Sequence, residues 1–179
     1  MRILAIVIAL VIHTQAIAQK YISKSAVITF FSEAPIENIT AINKKVSSIL
    51  DLTTSEIVFS VPIREFEFKR SLMKKHFNEN YMDSEEYPRS TFKGKISGFG
   101  SSEGVYSSVA VGELKIHGIT KKIEVVGEVI VKPDEITLIA KFPVLLKDYK
   151  IKIPKILFSN IAESIEVSIE FTYRPYASN

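Results

Sequence analysis

The 179-residue chain has no cysteine and only three histidines. Without thiols there can be no disulfide, no thiolate nucleophile and no N-terminal cysteine to carry a lipid anchor. The fold must therefore rest on its core and its hydrogen bonds. His13, His76 and His117 stand far apart, with no second ligand at a metal spacing such as H-x-x-x-H. Enzymatic chemistry needs a positioned set of reactive groups, so the expectation is a non-enzymatic protein with no catalytic residue, no metal and no cofactor. Charge of one sign is also scarce. The 23 Lys and Arg are interspersed with 20 Asp and Glu, which provides no concentrated basic face for nucleic acid. Internal repeats, low-complexity tracts and linkers are lacking as well.

A hydrophobic run long enough to cross a bilayer is missing too. The chain opens MRILAIVIALVIHTQAIAQK, with Arg2 ahead of an apolar stretch from Ile3 to Ile12 and then Ala16-x-Ala18. A spanning helix needs about 18 or more apolar residues, and His13, Thr14 and Gln15 end the run early. The pattern is that of a cleaved secretory signal over residues 1–18. What remains, residues 19–179, suits one domain. The expected product is exported, periplasmic or secreted, with no stable membrane insertion.

What the chain does contain is period-two alternation. In Gly112 to Val131, Leu114 and Ile116 alternate with Glu113, Lys115 and His117. After Gly118, Ile123, Val125, Gly127, Val129 and Val131 alternate with Lys122, Glu124, Val126, Glu128 and Ile130. Successive strand side chains point to opposite faces, so this is a β-hairpin turning at His117 and Gly118. Strands are likewise expected over Lys20 to Phe31, Ile39 to Leu50 (less regular), Ile57 to Ile63, Arg89 to Ser97, Glu135 to Leu146 and a last one through Ile165, Val167, Ile169, Phe171 and Tyr173. The spacing changes once. Phe66, Phe68, Leu72, Met73, Phe77 and Met82 recur in threes to fives, which predicts one short amphipathic helix between the third and fourth strands. The count is eight strands and one helix, an all-β fold. Short connections favour an antiparallel meander.

Asp148 to Ile161 is too apolar for an ordinary exposed loop. Ile151, Ile153, Ile156, Leu157 and Phe158 need burial, either as a plug in one end of the core or as a lid over a cavity.

His76 to Met82 (HFNENYM) followed by Tyr87-Pro88-Arg89-Ser90-Thr91-Phe92, the stretch Gly112-x-Leu114-x-Ile116-His117-Gly118-Ile119-Thr120-Lys121 and Asp148-Tyr149-x-Ile151 together resemble the YceI-like family. The resemblance covers essentially all of the chain after the signal. It implies an eight-stranded antiparallel, lipocalin-like barrel in the bacterial envelope. Such a barrel would hold an amphiphile with a long apolar tail, such as an isoprenoid, isoprenoid quinone or fatty-acid-like lipid. The chain departs from the commoner family pattern in its apolar stretch around Ile156 to Phe158 and in its few polar candidates for a head group.

The candidate cavity lining is Phe68, Leu72, Phe77, Phe92, Ala110, Gly112, Leu114, Ile116, Tyr149, Ile151, Ile153, Ile156 and Phe158. Ala110 and Gly112 are included because missing bulk on an inward face leaves a slot, although glycine also relieves strain at barrel bends. His117 and Gly118 are expected to act as a structural turn. The leading function is therefore non-enzymatic binding, carriage or sequestration of an apolar-tailed small molecule. The alternative is a side-chain-filled barrel serving as a structural or protein-interaction module. A homodimer is compatible with either.

Overall fold

The computed structural model describes residues 20–33, 38–153 and 162–176. Ten ladder segments appear along the chain: β1 Lys20–Ser32, β2 Ile39–Asn43, β3 Ser47–Asp51, β4 Glu56–Pro62, β5 Glu67–Phe68, β6 Arg89–Ser97, β7 Gly104–Ile116, β8 Ile119–Lys132, β9 Glu135–Leu145 and β10 Ser164–Pro175. Each long strand pairs antiparallel with its neighbours, and β10 returns to pair with β1 from Tyr21↔Pro175 to Phe31↔Glu166. The sheet is thus a closed eight-stranded barrel, and closure removes the unpaired edges an open sheet would expose.

The ten segments make eight strands because two strands are interrupted. β2 and β3 pair with β1 in one continuous register, Ile28↔Asn43 and Ile22↔Ile49, on either side of a break at Lys44 to Val46. Across that break the parity changes: Ala41 and Asn43 face inward before it, Ser48 and Leu50 after it. β1 carries a matching irregularity, a bulge at Lys24 between Ser23↔Tyr173 and Ser25↔Thr172. The extra residue lets Tyr21 and Ala26 both face the core despite their odd separation. In the same way β5 carries the line of β4 onto β2, after Pro62 and a 3-10 turn at Ile63–Glu65. A one-residue parity switch is the physical reason the second strand reads as irregular.

Elsewhere the alternation transfers directly. Ile57, Phe59 and Val61 on β4, Leu114 on β7, Val125, Val129 and Val131 on β8, and Phe171 and Tyr173 on β10 all face a common interior. Phe66 and Phe68, expected in the helix, precede it instead. Phe68 opposes Ala41 in the ladder, and Arg70 is still extended at φ −121°.

The β7–β8 hairpin turns on two residues, with Ile116↔Ile119 as the last pair. His117 (φ 48°) and Gly118 (φ 73°) are both left-handed, as the tight turn matching strand twist demands. His117 is held from both sides. Its Nδ1–H donates to the Tyr149 carbonyl at 3.1 Å, which fixes the tautomer, and its ring meets Tyr87 edge-on at 4.6 Å. At the opposite end, Tyr173 is fully buried and its hydroxyl donates to Ser48 Oγ at 2.6 Å, which donates in turn to the Val58 carbonyl at 3.0 Å.

Burial raises the Tyr173 pKa well above its usual 10. Above pH 10 the unfolded chain releases that proton while the folded chain keeps it, so stability should fall as pH climbs through the unfolded value of about 10. Urea midpoints measured from pH 8 to 11.5 should show this slope, and Tyr173→Phe should flatten it. His117→Ala loses the Tyr149 hydrogen bond and places a poorly tolerated residue at positive φ. It should lower stability by about 1–2 kcal/mol, with His117→Asn costing less because Asn visits that region more readily. Equal midpoints for the two variants would show that the left-handed backbone contributes nothing.

Candidate functional site

The candidate site lies at the barrel end that carries Ser32, Pro62, Arg89, His117 and Leu145. Helix α1 (Ser71–His76) crosses this end and runs into a wider turn over Phe77–Tyr81, where the Met82 N–H reaches back to the Phe77 carbonyl at 2.9 Å. These few residues fall short of the roughly 12–15 that an isolated helix needs. Tertiary contacts hold them instead. The Phe77 ring stacks on Phe30 at 5.4 Å and meets Phe66 at 5.5 Å and Phe68 at 5.0 Å. Phe30 itself contacts Phe66 and Phe68 at 5.3 and 5.6 Å. Each such pair contributes about 0.5–1.5 kcal/mol beyond area burial. The widened turn keeps Tyr81 on the face already occupied by Met73, His76 and Phe77.

Beneath that face is a cavity of about 300 Å³. Ile28, Phe59, Phe142 and Ile169 form its depth, where the strands are near mid-barrel. Val61, Leu114, Ile116, Val144 and Val167 form its sides, and Phe66, Phe68, Met73 and Phe77 lie towards the helix. The polar side chains on the wall are Ser32, His76, Tyr81 and Ser90. No Lys, Arg, Asp or Glu occurs among the described lining residues. Burial pushes the Tyr81 phenol pKa up, so this hydroxyl remains a proton donor. Among the described residues no group of three His, Asp or Glu could hold a metal ion, and no helix is long and apolar enough to cross a membrane.

Below the cavity the barrel is solid. Gly94 on β6 faces Gly112 on β7, and the ring of Phe92 lies over both. A Cβ added at Gly112 would sit 2.5 Å from the Gly94 Cα and from the Lys93 carbonyl oxygen, and 2.7 Å from Phe92 Cζ. Phe92 stacks on Phe59 at 5.2 Å, and Phe59 meets Phe171 edge-on at 5.3 Å. This aromatic column leaves only a crevice of about 40 Å³, lined in part by Ala110, Gly127 and Ser108.

Of the residues expected to line a cavity, Phe68, Phe77, Leu114, Ile116 and Ile151 are on its wall. Leu72 is not: it is 60 % exposed, because the face through Met73, His76 and Phe77 turns inward. Phe92 and Ala110 border the lower crevice, and Gly112 borders neither space. The slot expected at Gly112 is filled by the Phe92 ring. Tyr149 is buried beside the hairpin, where burial first and the Asp148 charge second raise its pKa, but it does not reach the cavity. Ile153 is partly exposed and off the wall. Ile156 and Phe158, with the choice between lid and plug for their loop, lie outside the described residues.

Sequence reasoning missed Phe30, Phe59, Phe142, Val144, Val167 and Ile169, as well as His76 and Ser90. The apolar members were available from the inward parity of the first, third and last two strands. The polar members depend on the widened helical turn and on barrel closure, which no local pattern announces.

A family model described as the YceI-like domain matches residues 22–173. No curated relative matches the sequence. Among solved structures, a polyisoprenoid binding domain from Saccharophagus degradans superposes with a TM-score of 0.73 at 12 % identity, over 87 % of this chain and 98 % of that one. BcnA of Burkholderia cenocepacia gives 0.68 at 15 % identity, over 82 % and 95 %. A YceI protein of Campylobacter jejuni gives 0.63 at 17 % identity, over 82 % and 90 %. At these identities the likeness is one of fold.

The packing at Gly112 generates a test. Gly112→Ala forces a methyl group against backbone on one side and the Phe92 ring on the other, so it should cost about 1–3 kcal/mol. Because Gly112 is off the cavity wall, the folded fraction should keep its affinity for any apolar ligand. Denaturation monitored alongside displacement of a fluorescent fatty-acid probe would show both, and lost affinity at unchanged stability would contradict the placement.

Proposed function

This chain belongs to the YceI-like family, and we propose from that membership and from its cavity that it binds an amphiphile by burying an apolar tail inside the barrel. The observation that carries the reading is the 300 Å³ cavity walled by apolar side chains and free of formal charge among the described residues. Burial of a tail contributes roughly 0.8 kcal/mol per CH₂. Such a site needs no cofactor and no reacting group. It works as a carrier or a sequestering protein, and the S. degradans neighbour, named as a polyisoprenoid binding domain, supports the same class of ligand. The signal-like residues 1–18 support action in the envelope, on lipids that pass between membrane and aqueous space. The filled-barrel alternative describes only the lower half of the molecule, where Phe92, Phe59 and Phe171 pack together.

The test fills the cavity from its deep end, at a residue that also borders the lower crevice. Ile169→Trp projects a larger side chain from β10 into the deep end of the cavity. The variant should fold, with a melting temperature within a few degrees of the parent, and should carry no co-purifying lipid by native mass spectrometry and organic extraction. The parent should carry lipid, and saturating ligand at about 100 times Kd should raise its stability by about 2.7 kcal/mol. A parent that is always empty, and whose stability no apolar ligand changes, would overturn the proposal.

A further inference from the structure

The connections that cover the cavity end of the barrel differ in charge from those at the other end. Over the cavity, Lys69 to Lys75 (KRSLMKK) carries four cations in seven residues, and no acid occurs from Phe68 to Asn78. Leu145 to Lys152 (LLKDYKIK) adds three lysines against one acid, Asp148. Both segments border the same cavity, the first through Met73 and the second through Leu146 and Ile151. The hairpin turns at the opposite end, 52–55, 98–103 and 133–134, contain no Lys or Arg, and two of them carry an acid, Glu103 and Asp134.

Each basic segment also exposes a leucine. Leu72 is 60 % exposed and Leu145 40 %, and neither is on the cavity wall. A single exposed leucine needs no explanation. Two at one barrel end, each inside a basic segment, form the pattern of a surface that docks on anionic lipid, where cations meet head groups and apolar side chains enter the acyl boundary. Among the described residues Lys69, Lys147, Lys150 and Lys152 form no ion pair. The acids near the helix stand before and after it in sequence, at Glu65, Glu67, Glu79, Asp83, Glu85 and Glu86. Glu85 pairs with Arg64 at 3.0 Å, and Glu79, Asp83 and Glu85 share a polar depression with Lys74 and Lys75. The cations that remain for a partner are those at the start of the helix and in 147–152.

We infer that this end of the barrel is a reversible docking surface for a membrane with anionic head groups, with Leu72, Leu145, Lys69, Lys147, Lys150 and Lys152 as its contact residues. The inference rests on the lipid-binding reading for its purpose: docked in this way, the cavity end faces the bilayer from which an apolar tail would come, so the tail crosses little water. An acidic protein would meet the same cations, but it gives no role to leucines placed around the entrance to an apolar cavity. With two leucines and a handful of charges, the binding is weak and salt-sensitive.

Sedimentation with vesicles tests this, using the chain from Gln19 onward, because the apolar run from Ile3 to Ile12 would bind lipid by itself. The described barrel begins at Lys20 and closes without that run. Phosphatidylcholine vesicles with about 30 % phosphatidylglycerol should bind the protein about ten-fold more tightly than phosphatidylcholine alone in about 50 mM salt, and the difference should vanish near about 500 mM. Lys69→Glu combined with Lys147→Glu, and separately Leu72→Ser combined with Leu145→Ser, should each weaken that binding several-fold. Lys132→Glu, at the other end, should change nothing. All variants should keep the parent's melting temperature and, in vesicle-free solution, its affinity for a fluorescent fatty-acid probe. Equal binding to both kinds of vesicle would overturn the inference. So would undiminished binding by either double variant, since an unaffected leucine pair means charge attraction alone, as for any acidic partner. Absent vesicle binding with probe affinity intact would sink the docking surface and leave the lipid-binding reading standing, whereas a parent that takes up no probe would sink that reading whatever the vesicles show.

Discussion

The ring of Phe92, laid across the backbone of the Gly94–Gly112 pair, decides which half of this barrel is solid. Eight strands enclose an interior just wide enough to be filled by side chains or to hold one small ligand. In the lower half two facing glycines remove bulk and one aromatic ring restores it, so that Phe92, Phe59 and Phe171 form a continuous column. Above Phe59 the interior opens into the cavity. The cavity begins where that column stops, and its depth is thus a consequence of the glycine pair below it.

The ceiling depends on a different set of rings. Helix α1 and its widened turn are too short to be stable alone, and Phe77 anchors them into a cluster with Phe30, Phe66 and Phe68. These rings belong at once to the cavity wall and to the packing that keeps the helix in place. A ligand touching them therefore touches the contacts that hold its own cover. Segments held by few buried contacts open at lower free energy than the core strands, so the ceiling is the part of the described fold best suited to admit a tail. The β7–β8 turn on the rim is stiffer, since His117 is tied both to the Tyr149 carbonyl and to the Tyr87 ring.

How far the residues could be read ahead of the structure follows from these same contacts. Alternation is local, so the strands, the hairpin at His117 and Gly118 and the inward parity of Leu114, Ile116, Phe171 and Tyr173 were legible. The break at Lys44 to Val46 and the Lys24 bulge were not, because each inserts a parity change that only the partner strand explains. The helix was legible as a change of spacing, but its start was set too early, since the ladder with Ala41 captures Phe68. The site was read least well, for a physical reason. A small residue on an inward face is equally consistent with a slot and with a ring from elsewhere filling that slot, and at Gly112 the ring came from the adjacent strand.

The hollow half also sets a relation between stability and cargo. Apolar space left open between side chains forgoes packing contacts that would otherwise stabilise the fold, and an apolar tail entering the 300 Å³ cavity restores contacts of the same kind. A chain with no disulfide to lend support must then hold its empty state through the closed ladder and the aromatic column alone. That division explains why the barrel is solid below Phe59: the packed half carries the fold, which leaves the upper half free to trade packing for a ligand.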